Sequence, residues 1–206
     1  MSAVLSSLPP PSVAQLWSKT LNALLSKEHV EGWDQSLSWC LEQGLDINVW
    51  LVENELGEKG NALNLACAYE CFDLAFWLLE KGAAPDDSEA DLNPLAYAVC
   101  YKQMDLIKAL LQHGANINQA DKEGYIPLML ALADEHPSVE VIQTLLDQGA
   151  NIALKDKQNR TIFEQMDQNT PIAARQVLEG HQAKLDRHHL HTITALSRSH
   201  RSFRRI

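Results

Sequence analysis

The feature that most restricts this chain is a phrase it repeats: two leucines, two polar residues and a glycine. It reads Leu78-Leu79-Glu80-Lys81-Gly82-Ala83-Ala84, then Leu110-Leu111-Gln112-His113-Gly114-Ala115-Asn116, then Leu145-Leu146-Asp147-Gln148-Gly149-Ala150-Asn151. Cys40-Leu41-Glu42-Gln43-Gly44-Leu45-Asp46 is a degenerate copy, so the glycines stand 38, 32 and 35 residues apart. The leucines close an amphipathic helix, and the glycine takes the left-handed conformation that stops it. About eleven residues after each of the last three glycines a second phrase opens: Asn93-Pro94-Leu95, Ile126-Pro127-Leu128 and Thr161-Ile162-Phe163. Proline in a helix's first turn loses no hydrogen bond and presets φ. Small apolar residues follow, as in Leu63, Leu65, Ala66 and Cys67, and a short polar turn leads to a second helix such as 73–80.

This unit resembles the ankyrin repeat, in which a turn, two antiparallel helices and a glycine-terminated loop recur about every 33 residues. The copy running from Asn93-Pro94-Leu95 through Asp105-Leu106-Ile107 and Leu110-Leu111 to Gly114-Ala115-Asn116-Ile117-Asn118 matches best, and the match spans roughly residues 33–166. The resemblance implies an all-α solenoid of helix–turn–helix units with N- and C-terminal helical caps. The family opens its first helix with Thr-Pro-Leu-His, whose Thr and His tie neighbouring repeats. Here the His position holds Asn64, Ala96, Met129 and Glu164, and the Thr survives only as Thr161. A less regular and less stable stack than a consensus protein is expected. Two insertions stand out: two extra residues around Asp134-Glu135-His136-Pro137-Ser138, and five in the loop between Gly44 and Asn61.

These signals predict a flexible N-terminus over 1–11, a repeat domain over 12–180 and a basic, histidine-rich tail over 181–206. Within the domain, a cap occupies 12–48, repeats occupy about 60–90, 91–120 and 124–153, and a second cap occupies 159–180. The first cap opens on Ser12 with Gln15, a capping box, and carries Val13, Leu16, Trp17, Thr20 and Leu24 on one stripe. The tail reads either as a loose helix through Leu185, Leu190, Ile193 and Leu196 or as a flexible segment.

With 46% hydrophobic and 21% charged residues, the chain has a globular composition and is long enough for a real core. No apolar run reaches the roughly 20 residues of a membrane helix, and the N-terminus does not read as a secretory signal. Cys40, Cys67, Cys71 and Cys100 form no CxxC pair and no disulfide spacing, so the expected home is the cytoplasm, with export that needs no cleaved signal as the alternative. The net charge of -10 is uneven: residues 181–206 are +5 and the rest is -15. Such a body repels phosphates, which argues against nucleic acid and for a basic protein surface as partner.

Chemistry is sparse. Cys67 and Cys71 lie one helical turn apart, but a structural zinc site needs four ligands, and core packing is the expectation. Cys100 reads as an inert surface thiol, His113 as a helix-end cap, and His188-His189-Leu190-His191 as a solvated tail that could alternatively bind a transition metal. No catalytic set, metal site or cofactor loop is found, so no enzymatic activity and no cofactor are expected. The resemblance places partners on loop tips and on the exposed side of the first helices. By position these are the pairs Ala68-Tyr69, Cys100-Tyr101 and Ala133-Asp134, with the two tyrosines side by side on the concave face. The loop tips add Trp50, Glu53, Glu55, Asp87, Glu89, Lys122, Glu123 and Tyr125, and the last loop is basic through Lys155, Lys157 and Arg160. The apolar quartet Val49-Trp50-Leu51-Val52 either folds back onto the cap or meets a partner. The expected function is a protein-interaction module, monomeric when free, that inhibits or scaffolds a basic protein partner and uses no membrane. A secreted bacterial effector binding a host protein and a Cys/His metal protein or enzyme are the other two classes.

Overall fold

The structure is a computed structural model that describes residues 12–51, 60–86, 92–167 and 170–203; the side chains of Trp50, Leu51, His189 and residues 191–203 lie outside that description. The chain divides into two compact units, residues 1–116 and 117–206. The all-α stack of helix–turn–helix units implied by the repeats is what folds.

In the first unit, α1 (Val13–Leu25) packs on α2 (Trp33–Glu42). The capping box forms: Ser12 Oγ accepts the Gln15 backbone N–H, and the Gln15 side chain accepts the Ser12 backbone N–H at 2.9 Å. The buried stripe of α1 is turned slightly from the expected one and runs through Trp17, Thr20, Leu21 and Leu25, while Leu16 and Leu24 are half-buried. A short antiparallel ladder follows, β1 (Trp50–Leu51) against β2 (Gly60–Asn61), with Trp50 opposite Asn61. Trp50 and Leu51 of the apolar quartet are therefore paired through their backbone with the residues that lead into α3 (Ala62–Ala68).

Next come α4 (Phe72–Glu80), α5 (Pro94–Cys100) and α6 (Met104–Gln112). α3 packs on both α4 and α5, and α4 packs on α6, so each helix pair lies against the next. In α3 and α5 the missing Thr is replaced by asparagine, and in α3 the missing His is as well. Asn61 and Asn93 cap α3 and α5 by accepting the N–H groups of Asn64 and Ala96 at 2.8 and 2.7 Å, and asparagine is among the strongest N-cap residues. Asn64, buried in the His position, donates its side-chain amide to the Leu92 carbonyl oxygen at 2.7 Å. At this joint a different side chain links one repeat to the segment that opens the next.

In the second unit, α7 (Pro127–Ala133) packs on α8 (Val139–Asp147), a single turn α9 (Ile162–Gln165) follows, and α10 (Ile172–Phe203) packs on α8. α10 buries Ala174 and Leu178, then continues as one helix of 32 residues past position 181, with Leu185 and Leu190 exposed. The helical form of the tail is thus the one adopted, without a break where the cap was expected to end.

The glycine phrases behave as read: Gly82, Gly114 and Gly149 have φ of +87°, +91° and +92°. A second regularity appears beyond them. Asn48 accepts the Ala84 N–H at 2.7 Å, Asp86 accepts the Asn116 N–H at 3.0 Å, and in the second unit Asn118 accepts the Asn151 N–H at 2.8 Å. Each acceptor stands four residues after a helix-ending glycine, and each donor two residues after the next one. Among the described residues no helix is long and apolar enough to cross a membrane.

Candidate interaction surface

Two tyrosines occupy the same post in adjacent repeats of the first unit. Tyr69 ends α3 and Tyr101 ends α5 as C-caps, and each is followed by a residue forced into the left-handed region, Glu70 at φ +59° and Lys102 at φ +55°. These tight turns fix where the helix ends. Tyr69 is half-buried, while Tyr101 is 37% exposed. The Tyr101 hydroxyl donates to the Ala68 carbonyl at 3.1 Å, and its ring meets Phe72 edge-on at 6.3 Å. Tyr101 is therefore held against the residue that precedes Tyr69. Burial first, then the charge of Glu70 and the neighbouring Cys100, push its pKa up, so it remains a neutral donor. A fixed, exposed aromatic ring with a polar tip has the character of an interface anchor.

Charge sorts by unit. Residues 1–116 hold 6 Lys+Arg and 16 Asp+Glu, while residues 117–206 hold 11 of each, so the whole formal charge of -10 belongs to the first unit. Around the tyrosines, Glu70 and Asp73 are exposed.

The second unit holds a separate set. Asp134, like Tyr69 and Tyr101, is the residue that follows its helix, but its backbone conformation differs from theirs. α7 stops at Ala133, and Asp134 is extended at φ -63°, ψ 144°. Its carboxylate accepts the His136 N–H at 2.7 Å, because the two inserted residues and Pro137 replace the tight turn seen after Tyr69 and Tyr101 with a longer loop. Asp134 lines instead a cleft of about 300 Å³ with Glu135, Gln165 and Asp167. Lys122 and Glu123 are exposed at a loop tip, and Tyr125 is half-buried. Asp121 organises this loop by accepting the Glu123 and Tyr125 N–H groups, each at 2.8 Å.

The adjoining loop repeats that geometry with Asp156, which accepts the Arg160 N–H at 2.8 Å and forms an ion pair with its guanidinium at 2.9 Å. Gln165 donates to the same carboxylate at 3.0 Å, and Arg160 donates to the Tyr125 hydroxyl at 3.2 Å. Burial of Asp156 would raise its pKa, but the Arg160 backbone, the guanidinium and Gln165 outweigh it and hold the carboxyl below the usual range. Arg160, read from sequence as a basic loop charge, is thus neutralised by a buried partner. This cluster was missed, although the shared spacing of Asp121 to Tyr125 and Asp156 to Arg160 was there to be seen. Glu53, Glu55, Asp87 and Glu89 lie outside the described residues, as does the side chain of Trp50.

The thiols are placed by packing. Cys67 is fully buried and its pKa is pushed up to about 12 by that burial. Cys71 is half-buried and donates to the Leu24 carbonyl at 3.3 Å, and Cys100 is exposed. His113 is within 2.8 Å of the Ala109 carbonyl through Nδ1, at the end of α6. Among the described residues no group of three or more His, Cys, Asp or Glu is placed to hold a metal ion.

Residues 63–156 match the family described as ankyrin repeats, in three copies. Among curated proteins, the chain is 35% identical over 95 residues to ankyrin repeat and SOCS box protein 11 of Mus musculus, covering 45% of this chain and 28% of that protein. It is 33% identical over 92 residues to the Homo sapiens protein of the same name, with the same coverage of 45% and 28%. It is 33% identical over 95 residues to the inhibitor of Bruton tyrosine kinase of Xenopus laevis, covering 45% of this chain and 7% of that protein. The chain therefore spans under a third of the length of these relatives, and the shared part is the repeats.

Proposed function

We propose, from the premise that residues 63–156 of this chain are three ankyrin repeats, that the chain is a non-enzymatic protein-binding module whose partner has a basic surface. Ankyrin repeats are protein–protein interaction modules. The finer reading rests on one observation: Tyr101, exposed yet fixed by Phe72 and by the carbonyl of Ala68, the residue before the equivalent Tyr69, lies in the unit that carries all of the net charge of -10. A held aromatic loses little entropy on binding, and an acidic field steers and selects a cationic partner. Binding that occludes the partner's own site makes the module inhibitory, and one relative is named as an inhibitor. Capture from native lysate with wild type beside a Tyr69→Ala/Tyr101→Ala variant tests this. A basic protein held by wild type, lost by the variant and released by salt is expected. The same proteins held by both would reject this face.

A further inference from the structure

The first unit carries a groove of about 360 Å³ where the end of α1, the start of α2 and the start of α4 meet. Two of its walls are aromatic and both are fixed. Trp33 meets Trp77 edge-on at 5.6 Å, and Phe72 meets Tyr101 edge-on at 6.3 Å. Two exposed carboxylates stand in the lining, Glu70 on its left-handed turn and Asp73 in the first turn of α4, against one ammonium, Lys27. The Cys71 thiol is committed to the Leu24 carbonyl at 3.3 Å, which leaves the carboxylates and the rings as the recognition groups. Phe72 belongs both to this groove and to the contact that holds Tyr101, so the groove continues the tyrosine surface.

A planar guanidinium suits such a lining better than a compact ammonium, because it pairs with carboxylates through two N–H groups at once while its apolar stem lies along the rings. We propose that this groove receives an arginine side chain of the basic partner, its stem against Trp33 and Phe72 and its guanidinium at Glu70 and Asp73. The inference rests on the partner-binding reading of the Tyr69 and Tyr101 surface and names the residue that the partner inserts. The unit's charge of -10 over residues 1–116 sets the sign of the field that draws it in.

The test uses the full chain, isotope-labelled for nuclear magnetic resonance and titrated with N-acetyl-arginine amide, its neutral isostere N-acetyl-citrulline amide, and N-acetyl-glutamate amide. The expected result is a shift of the Trp33 indole N–H and of the Glu70 and Asp73 amides with the arginine probe. Binding should be roughly tenfold weaker for citrulline, and equally weakened for arginine in a Glu70→Gln/Asp73→Asn variant, since loss of charge removes charge-assisted hydrogen bonds. Both positions are exposed and both replacements keep side-chain size, so the variant keeps its fold. No shift at these residues, an equal response to citrulline, or a preference for the glutamate probe at Lys27 would each overturn the proposal. Because the probe works without the partner, such a failure leaves the tyrosine reading standing. A captured protein indifferent to Tyr69→Ala/Tyr101→Ala fails that reading alone.

Discussion

Gly124 and Gly149 offer a matched pair for separating backbone strain from packing. Both sit in the second unit with left-handed φ, +86° and +92°. A Cβ at Gly149 would meet nothing within 4 Å, whereas one at Gly124 would stand 2.8 Å from the Lys157 backbone nitrogen and 3.1 Å from the Asp156 Cα. Gly149→Ala should therefore cost only the left-handed penalty, about 1–2 kcal/mol. Gly124→Ala adds a clash with backbone atoms that no rotamer change relieves, and overpacking of this kind costs about 1–3 kcal/mol more. The Glu123 carbonyl, which accepts the Lys157 N–H at 3.1 Å, moves with it. Urea unfolding followed by far-ultraviolet circular dichroism reads both variants. Gly124→Ala should unfold at lower urea than Gly149→Ala, and its melting midpoint should lie roughly 2–12 °C lower, at about 2–4 °C per kcal/mol for a chain of this size. Equal destabilisation within about 0.5 kcal/mol, the usual error of such comparisons, would refute the close approach of the two loops.

Three further outcomes follow from the same geometry. Asp156 has a folded pKa below its unfolded value of about 3.9, so its contribution is complete above that value and disappears as pH falls through the folded pKa. The gap in melting midpoint between wild type and Asp156→Asn should accordingly close on acidification, and a gap that stays constant from about pH 7 to about pH 3 would contradict the charge account. Asn118→Ala removes the acceptor for the Asn151 N–H and should cost about 0.5–1.5 kcal/mol in urea unfolding, while Asn118→Asp, which keeps an acceptor, should stay near wild type. With a disulfide reagent, Cys100 should react first and Cys40 and Cys67 only on unfolding, since burial pushes the Cys67 thiol up to about 12; prompt labelling of Cys67 in the native protein would show an open core.

How much of this was legible in the sequence depended on whether a residue's role is local. Gly82, Gly114 and Gly149 could be read directly, because a left-handed residue after two leucines ends a helix whatever surrounds it. Pro94 and Pro127 opened helices for an equally local reason. The same helix-ending turn recurs at Tyr69 and Tyr101, whose repeats are gapless between them, but not at Asp134, where two inserted residues changed it. Side-chain pairing across loops was the least visible. Arg160 counts as a positive charge in any sequence tally, and only the buried Asp156 beside it cancels that charge. Asn64 looked like a lost histidine until its amide was found on the Leu92 carbonyl.

The central claim is that Tyr101, held by Ala68 and Phe72, anchors a basic protein partner. The most direct measurement is the affinity of the captured partner for wild type, Tyr101→Phe and Tyr69→Ala/Tyr101→Ala, each at low and high salt. The account predicts a loss of roughly 30-fold or more in the double alanine variant, the size of an interface hot spot, a smaller loss in Tyr101→Phe, and weaker binding of all three at high salt. Affinities that are the same for wild type and the double variant, or that do not respond to salt, would contradict it.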